Sequence, residues 1–157
     1  MRFSRSLEEA LGKLRKECAS PTDDKLRYAL AVGGKVVILG IMVGGALGAL
    51  CRYLVNTAFV GSSLPFPTAT FIVNMAGSFL LSLLLFSSLP SLSPELKTAI
   101  GTGFLGALTT FSTFEVETFK LFDEGQWLLG LSYSLGSFLV GLVAVLLGRW
   151  VALSQNL

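Results

Sequence analysis

The residues able to do chemistry gather in one stretch, Gly101–Lys120, which reads GTGFLGALTTFSTFEVETFK. Thr109, Thr110, Ser112 and Thr113 place four hydroxyls in the five positions 109–113, with Phe111 among them and Phe114 just after. Three glycines, Gly101, Gly103 and Gly106, lead into this group. Glycine and β-branched threonine both weaken a helix. In lipid a weakened helix is tolerated only where the freed backbone groups are buried in protein or bind something. Phe111 and Phe114 are three apart and share a helix face. A phenyl ring is positive at its edge, which suits contact with a desolvated anion, although two phenylalanines are also ordinary packing residues.

Elsewhere the chemically useful residues are polar but uncharged. Asn74 sits within an apolar run, TATFIVNMAGSF, beside Thr68, Thr70, Ser78 and Ser82. An amide at that depth faces protein or a pore. Its NH₂ group either donates to an anion or bonds a neighbouring helix, and spacing alone leaves the two readings level. Tyr133 and Ser137 are four apart, so they share a helix face. The sequence has no histidine, and Cys18 and Cys51 stand alone, without metal-ligand or disulfide spacing. No nucleophile–base pair of the usual kind is available, so an enzyme is not expected. Arg52, Glu115 and Glu117 lie towards the ends of apolar runs. A proton-coupled exporter calls for a mid-membrane carboxylate instead. Arg52 either snorkels to the interface or lines an aqueous vestibule.

The elements that must position these residues are membrane helices. Of 157 residues, 52% are hydrophobic and 14% charged, well below the roughly 25% charge of soluble domains. A spanning helix needs about 20 apolar residues. Four runs meet that length: about Lys35–Phe59, Pro67–Leu89, Pro94–Phe122 and Gln126–Val151. The expected fold is all-α, a four-helix transmembrane domain over 35–152 with its third helix broken mid-membrane and a short C-terminal tail at 153–157. Ser93 before Pro94 reads as a helix N-cap with proline in the first position. Gly40, Gly44, Gly45 and Gly48 have the small-residue spacing that lets membrane helices approach closely. Residues 1–34 form a polar extension. Leu7, Ala10, Leu11 and Leu14 suggest a short amphipathic helix there, with Ser6 and Glu9 as a capping box and Pro21 ending it. The net charge of +2 carries no nucleic-acid signal.

Three blocks, GGALGALCRY (Gly44–Tyr53), FIVNMAGSF (Phe71–Phe79) and GFLGALTTFSTFEVE (Gly103–Glu117), resemble signature segments of the Fluc (CrcB) fluoride channels, and YSLGS (Tyr133–Ser137) fits a weaker fourth. The resemblance covers about Lys35–Val151. It implies a multi-pass protein of the bacterial inner membrane that lets fluoride out passively and so lowers its cytoplasmic concentration. A coupled four-helix exporter of fluoride or small cations is the alternative. The resemblance implies an antiparallel, dual-topology dimer with two fluoride pores. Asn74 would donate to fluoride, and Phe111 and Phe114 would line the pores with their ring edges. Thr110, Ser112 and Thr113 would surround the break, with Tyr133 and Ser137 forming a polar track. Arg52 would sit at a vestibule and Glu117 near a pore mouth. A structural sodium ion at the dimer centre would be held by backbone carbonyls of Gly106 and Thr109.

Dual insertion needs balanced cationic flanks. From residue 35 on, Lys35, Lys97 and Arg149 fall on one side and Arg52 and Lys120 on the other. The extension adds Arg2, Arg5, Lys13, Arg15, Lys16, Lys25 and Arg27 to the first side, partly offset by five acids. The partner is therefore expected to be a second copy of the chain in the opposite orientation, with a heteromeric partner as the alternative.

Overall fold

Glycine placement decides how closely the helices of this chain approach. The computed structural model describes residues 21–61, 66–87 and 92–154, with side chains from Gly33 onward. The elements are α1 (Pro21–Ala58), α2 (Thr68–Phe86), α3 (Pro94–Thr98), a π-helical segment (Ala99–Leu105), α4 (Gly106–Leu108), α5 (Phe111–Asp123) and α6 (Trp127–Ser154). Two units are distinguished along the chain, residues 1–36 and 37–157. Of the first, the helical backbone of 21–36 is described. The proposed amphipathic helix with Ser6, Glu9 and Cys18 lies outside the described residues, as do residues 155–157.

Pro21 stands at the start of a helix. Proline's missing N–H and fixed φ suit a first helical position. The helical backbone then runs without interruption through residues 34 and 35. Three helical stretches among the described residues are long and apolar enough to cross a membrane: Gly33–Ala58 within α1, Thr68–Phe86 and Trp127–Ser154. The stretch from Pro94 to Asp123 is made of shorter pieces. Ser93 accepts a hydrogen bond from the Leu96 N–H at 3.2 Å, and Pro94 takes the first helical position, as the sequence predicts.

The glycines of α1 lie against backbone. A Cβ on Gly44 would stand 2.5 Å from the Ala99 carbonyl oxygen, and one on Gly48 would collide with the Phe104 carbonyl oxygen. Gly103 returns the contact, its would-be Cβ meeting the Ile41 carbonyl oxygen at 2.9 Å. Contacts advance from Gly40–Ala99 to Gly48–Leu108, so α1 runs parallel to the segment Ala99–Leu108. The second close pair is α2 with α6. Ser82 Oγ donates to the Val145 carbonyl at 2.7 Å, and Gly148 lets α6 ride on the Phe79 carbonyl. Here too the register advances in the same direction, from Phe66–Tyr133 to Ser82–Val145. α5 turns back onto α6 through Gly125, whose positive φ of 75° is open to glycine at no steric cost.

The buried apolar cluster is small: Val73, Leu84, Leu105 and Leu108. Leucines, valines and phenylalanines along α1 and α6 point outward. Such exposure is unfavourable in water but costs nothing against lipid or a second apolar surface. Cys51 is a free thiol on an exposed face of α1.

Because Gly48 abuts backbone and not a yielding side chain, Gly48→Ala is expected to destabilise the purified protein by about 1–3 kcal/mol, the usual cost of overpacking. Gly45, whose added Cβ would meet nothing nearer than the Gly103 carbonyl oxygen at 4.0 Å, is the control. Gly45→Ala should stay within about 0.5 kcal/mol of the parent. Equal thermal midpoints for the two variants in detergent would refute the close approach.

Candidate ion-binding groove at the helix break

The helical path loosens before it breaks. Over Ala99–Leu105 the backbone takes π-helical form, and the Gly106 N–H reaches back to the Gly101 carbonyl, five residues away. One turn later the chain leaves helical geometry altogether. Thr109 (φ −78°, ψ 155°) and Thr110 (φ −149°, ψ 117°) are extended. Such breaks strand backbone polar groups, which must find partners when buried.

Asn74 supplies them. Its Oδ1 accepts the Thr110 N–H at 2.8 Å, and its Nδ2 donates to the Thr110 carbonyl at 3.0 Å. The side-chain amide thus pairs with both polar groups of one extended residue. Of the two readings left level by the sequence, the structure displays the bond to a neighbouring segment. An amide nitrogen carries two N–H groups, so one donor is left over. Thr110 then caps α5: its Oγ1 accepts from the Thr113 N–H at 3.2 Å and donates to Thr113 Oγ1 at 2.9 Å. Thr109 folds inward, its N–H and Oγ1 both donating to the Leu105 carbonyl. Its methyl presses on Gly77, where a Cβ would collide with it. Glycine at 77 is what lets α2 reach the break.

A groove of about 340 Å³ opens here, lined by Asn74, Ser78, Thr109, Thr110, Phe111, Phe114 and Ser137 among others. Gly106 reaches its wall. Phe111 and Phe114 are 5.8 Å apart at a 43° tilt. Phe111 is 74% exposed, so the described residues do not pack it away. Ser137 Oγ is buried with no hydrogen-bond partner. Donors without a positive side chain, set in an apolar wall, suit a small desolvated anion.

Tyr133, Ser112 and Thr113 do not line this groove. Tyr133 is fully buried, and its hydroxyl donates to Glu117 Oε2 at 2.8 Å. Thr70 Oγ1 donates to the other oxygen, Oε1, at 2.9 Å. Glu117 is therefore clamped by two hydroxyls between α2 and α6. Phe114 lies against Tyr133, ring centroids 5.2 Å apart at a 58° tilt, joining this clamp to the groove. Thr70 was the residue that sequence reasoning passed over. The signal was present: Thr70 lies four residues before Asn74, on the same helix face. Arg52, on α1, is half-buried and has no ion-pair partner among the described residues.

A family model described as CrcB-like protein, Camphor Resistance (CrcB), matches residues 39–149, well over half of the chain. The chain belongs to the CrcB family. It is 45% identical over 116 residues to a protein of Listeria monocytogenes named fluoride-specific ion channel FluC 2, covering 73% of this chain and 88% of that one. It is 44% identical over 110 residues to the Staphylococcus aureus protein of strain NCTC 8325 named fluoride-specific ion channel FluC 1, covering 69% of this chain and 89% of that one. The CrcB match begins within α1 and ends near the close of α6, so it contains the whole groove and the Glu117 clamp. Together with the apolar helices it makes this a membrane protein.

Removing the Asn74 amide leaves the buried Thr110 N–H and carbonyl both unpaired. Asn74→Ala should therefore cost roughly 2–4 kcal/mol, from an unmade bond at each group. Tyr133→Phe removes one of the two bonds to Glu117 and should cost roughly 1–3 kcal/mol. Thermal unfolding in detergent measures both. An Asn74→Ala midpoint equal to the parent's would show that the break does not depend on this pairing.

Proposed function

We propose that this chain forms a fluoride-selective channel that passes fluoride down its gradient and out of the cell. The observation that carries the reading is the groove itself. Asn74, Phe111, Phe114 and Ser137 converge on a helix break, in a chain whose relatives are named fluoride-specific ion channels. That places it among transport proteins and not enzymes. Fluoride is small and strongly hydrated, so a path selective for it must replace water with closely placed donors. The second Asn74 N–H and the unpartnered Ser137 hydroxyl are such donors. The edges of Phe111 and Phe114 add positive quadrupole. No charged group is required, and an uncharged path binds weakly enough to release the ion.

The pieces from Pro94 to Asp123 make up the fourth membrane crossing, third in chain order, broken near mid-depth. Trp127 and Trp150 support that depth. Both are exposed at opposite ends of α6, about 34 Å apart at 1.5 Å per residue, close to the roughly 30 Å hydrocarbon core. Tryptophans favour both interfaces. Midway between them lie Ser137 and Phe138, which share the groove wall with Thr109 and Thr110.

A second copy in the opposite orientation completes the channel and covers the exposed Phe111. In such an antiparallel dimer the breaks of the two copies approach each other. Carbonyls suited to a hard cation are present: among the described residues no N–H outside the regular helices donates to the carbonyl of Gly106 or Thr109. These oxygens, from both copies, would hold a structural sodium ion and supply charge balance at the centre. Arg52 belongs to a vestibule. Glu117, held by Thr70 and Tyr133, lies beside the phenylalanines near the pore mouth.

Purified protein in liposomes should release loaded fluoride and retain chloride. Equal flux of both ions would end the selectivity claim, and a reversal potential that follows an imposed proton gradient would favour a coupled exporter. Phe111→Ile and Asn74→Asp should each suppress fluoride flux. Tags at both termini, probed from each side of the membrane, should be reached in two orientations for a homodimer. A single orientation would point to a different chain as partner.

A further inference from the structure

The polar residues of α2 form one stripe at four-residue spacing: Thr70, Asn74, Ser78 and Ser82. Four residues is a little more than one turn, so the stripe winds slowly around the helix. Its members meet successive neighbours. Thr70 donates to Glu117 on α5, Asn74 pairs with Thr110 at the break, and Ser82 donates to the Val145 carbonyl on α6. Ser78, between them, makes no hydrogen bond among the described residues and lines the groove.

Hydroxyls in apolar helices ordinarily satisfy themselves by donating to the carbonyl one turn back. Several in this chain do so: Thr98 to Pro94, Thr118 to Phe114, Ser154 to Trp150 and Thr109 to Leu105. Ser78 does not, and neither does Ser137 across the groove. An unpaired hydroxyl in an apolar setting is costly. Two of them facing the same cavity share one remedy, an acceptor inside it.

We infer that Ser78 is a hydroxyl donor to the permeating anion, continuing the path from Asn74 along α2 towards Leu81. The anion at this point accepts from Ser78 on one wall and Ser137 on the other, one helical turn from the Asn74 amide. This rests on the proposed fluoride path and extends it by one site. A small, hard, singly charged anion fits two hydroxyls and an amide. A larger halide spreads its charge and gains less from each donor.

The test is fluoride efflux from liposomes carrying parent, Ser78→Ala, Ser78→Cys and Ser78→Thr proteins, each first checked for assembly by size-exclusion chromatography. Losing one hydrogen bond to a charged group should slow fluoride flux about tenfold or more in Ser78→Ala. Ser78→Cys, nearly the same shape but a weak donor, should be slowed similarly. Ser78→Thr keeps the hydroxyl and should retain most of the flux, a recovery that a merely space-filling role would not produce. If Ser78→Ala does not assemble, Ser78→Cys decides. Parent-like flux in the assembled Ala or Cys variant overturns this inference and leaves the channel reading intact. Absence of fluoride flux in the parent itself overturns the channel reading.

Discussion

The double hydrogen bond between the Asn74 amide and the backbone of Thr110 is the constraint on which the rest of the site depends. Two extended residues between helical segments leave an N–H and a carbonyl with nowhere to go. In hydrocarbon each unsatisfied group is costly, because no water stands ready to replace the lost partner. A single amide, offering one acceptor and one donor at the right separation, satisfies both. The extended geometry of Thr110 in turn starts α5 afresh, with its own hydroxyl as the cap. Phe111 and Phe114 then follow at the first turn of a new helix, directed by the break and not by the helix before it.

Close packing makes that bond reachable. Gly77 removes the Cβ that would strike Thr109, so α2 can lie against the break. On the other side Gly44, Gly48 and Gly103 bring α1 onto the carbonyls of the π-helical segment and its neighbours. Side chains of ordinary size would push these backbones apart. The small buried core shows the same economy. Van der Waals contact between backbones and a few polar bonds hold the helices together, since burial of apolar surface drives little when the surroundings are as apolar as leucine.

The hydroxyls divide into those used up by the fold and those left over. Thr70 and Tyr133 are committed to Glu117, Thr109 to Leu105, and Ser82 to Val145. Ser78 and Ser137 are left facing the groove with Phe111 and Phe114. The groove thus keeps two hydroxyls that folding did not consume. Tyr133 illustrates the difference: the family resemblance implies a polar track for it with Ser137, yet its hydroxyl donates to a carboxylate, and it reaches the groove only through its ring contact with Phe114.

The apolar runs by themselves determined that the chain is helical and membrane-embedded, because an unsatisfied backbone permits little else in lipid. The Gly–Thr–Ser–Phe stretch marked residues of low helix propensity, and Thr109 and Thr110 are extended there. The Ser93–Pro94 start was equally legible, a matter of adjacent residues. That a helix begins at Pro21 was not, since proline is found both after helix ends and at first helical positions. Nor could spacing tell whether Asn74 would bond an ion or a helix, for its partner is 36 residues away. Pairings such as Thr70 with Glu117 depend on which faces α2, α5 and α6 turn to one another. That is set by where glycines permit backbones to meet, and only the tertiary structure decides it.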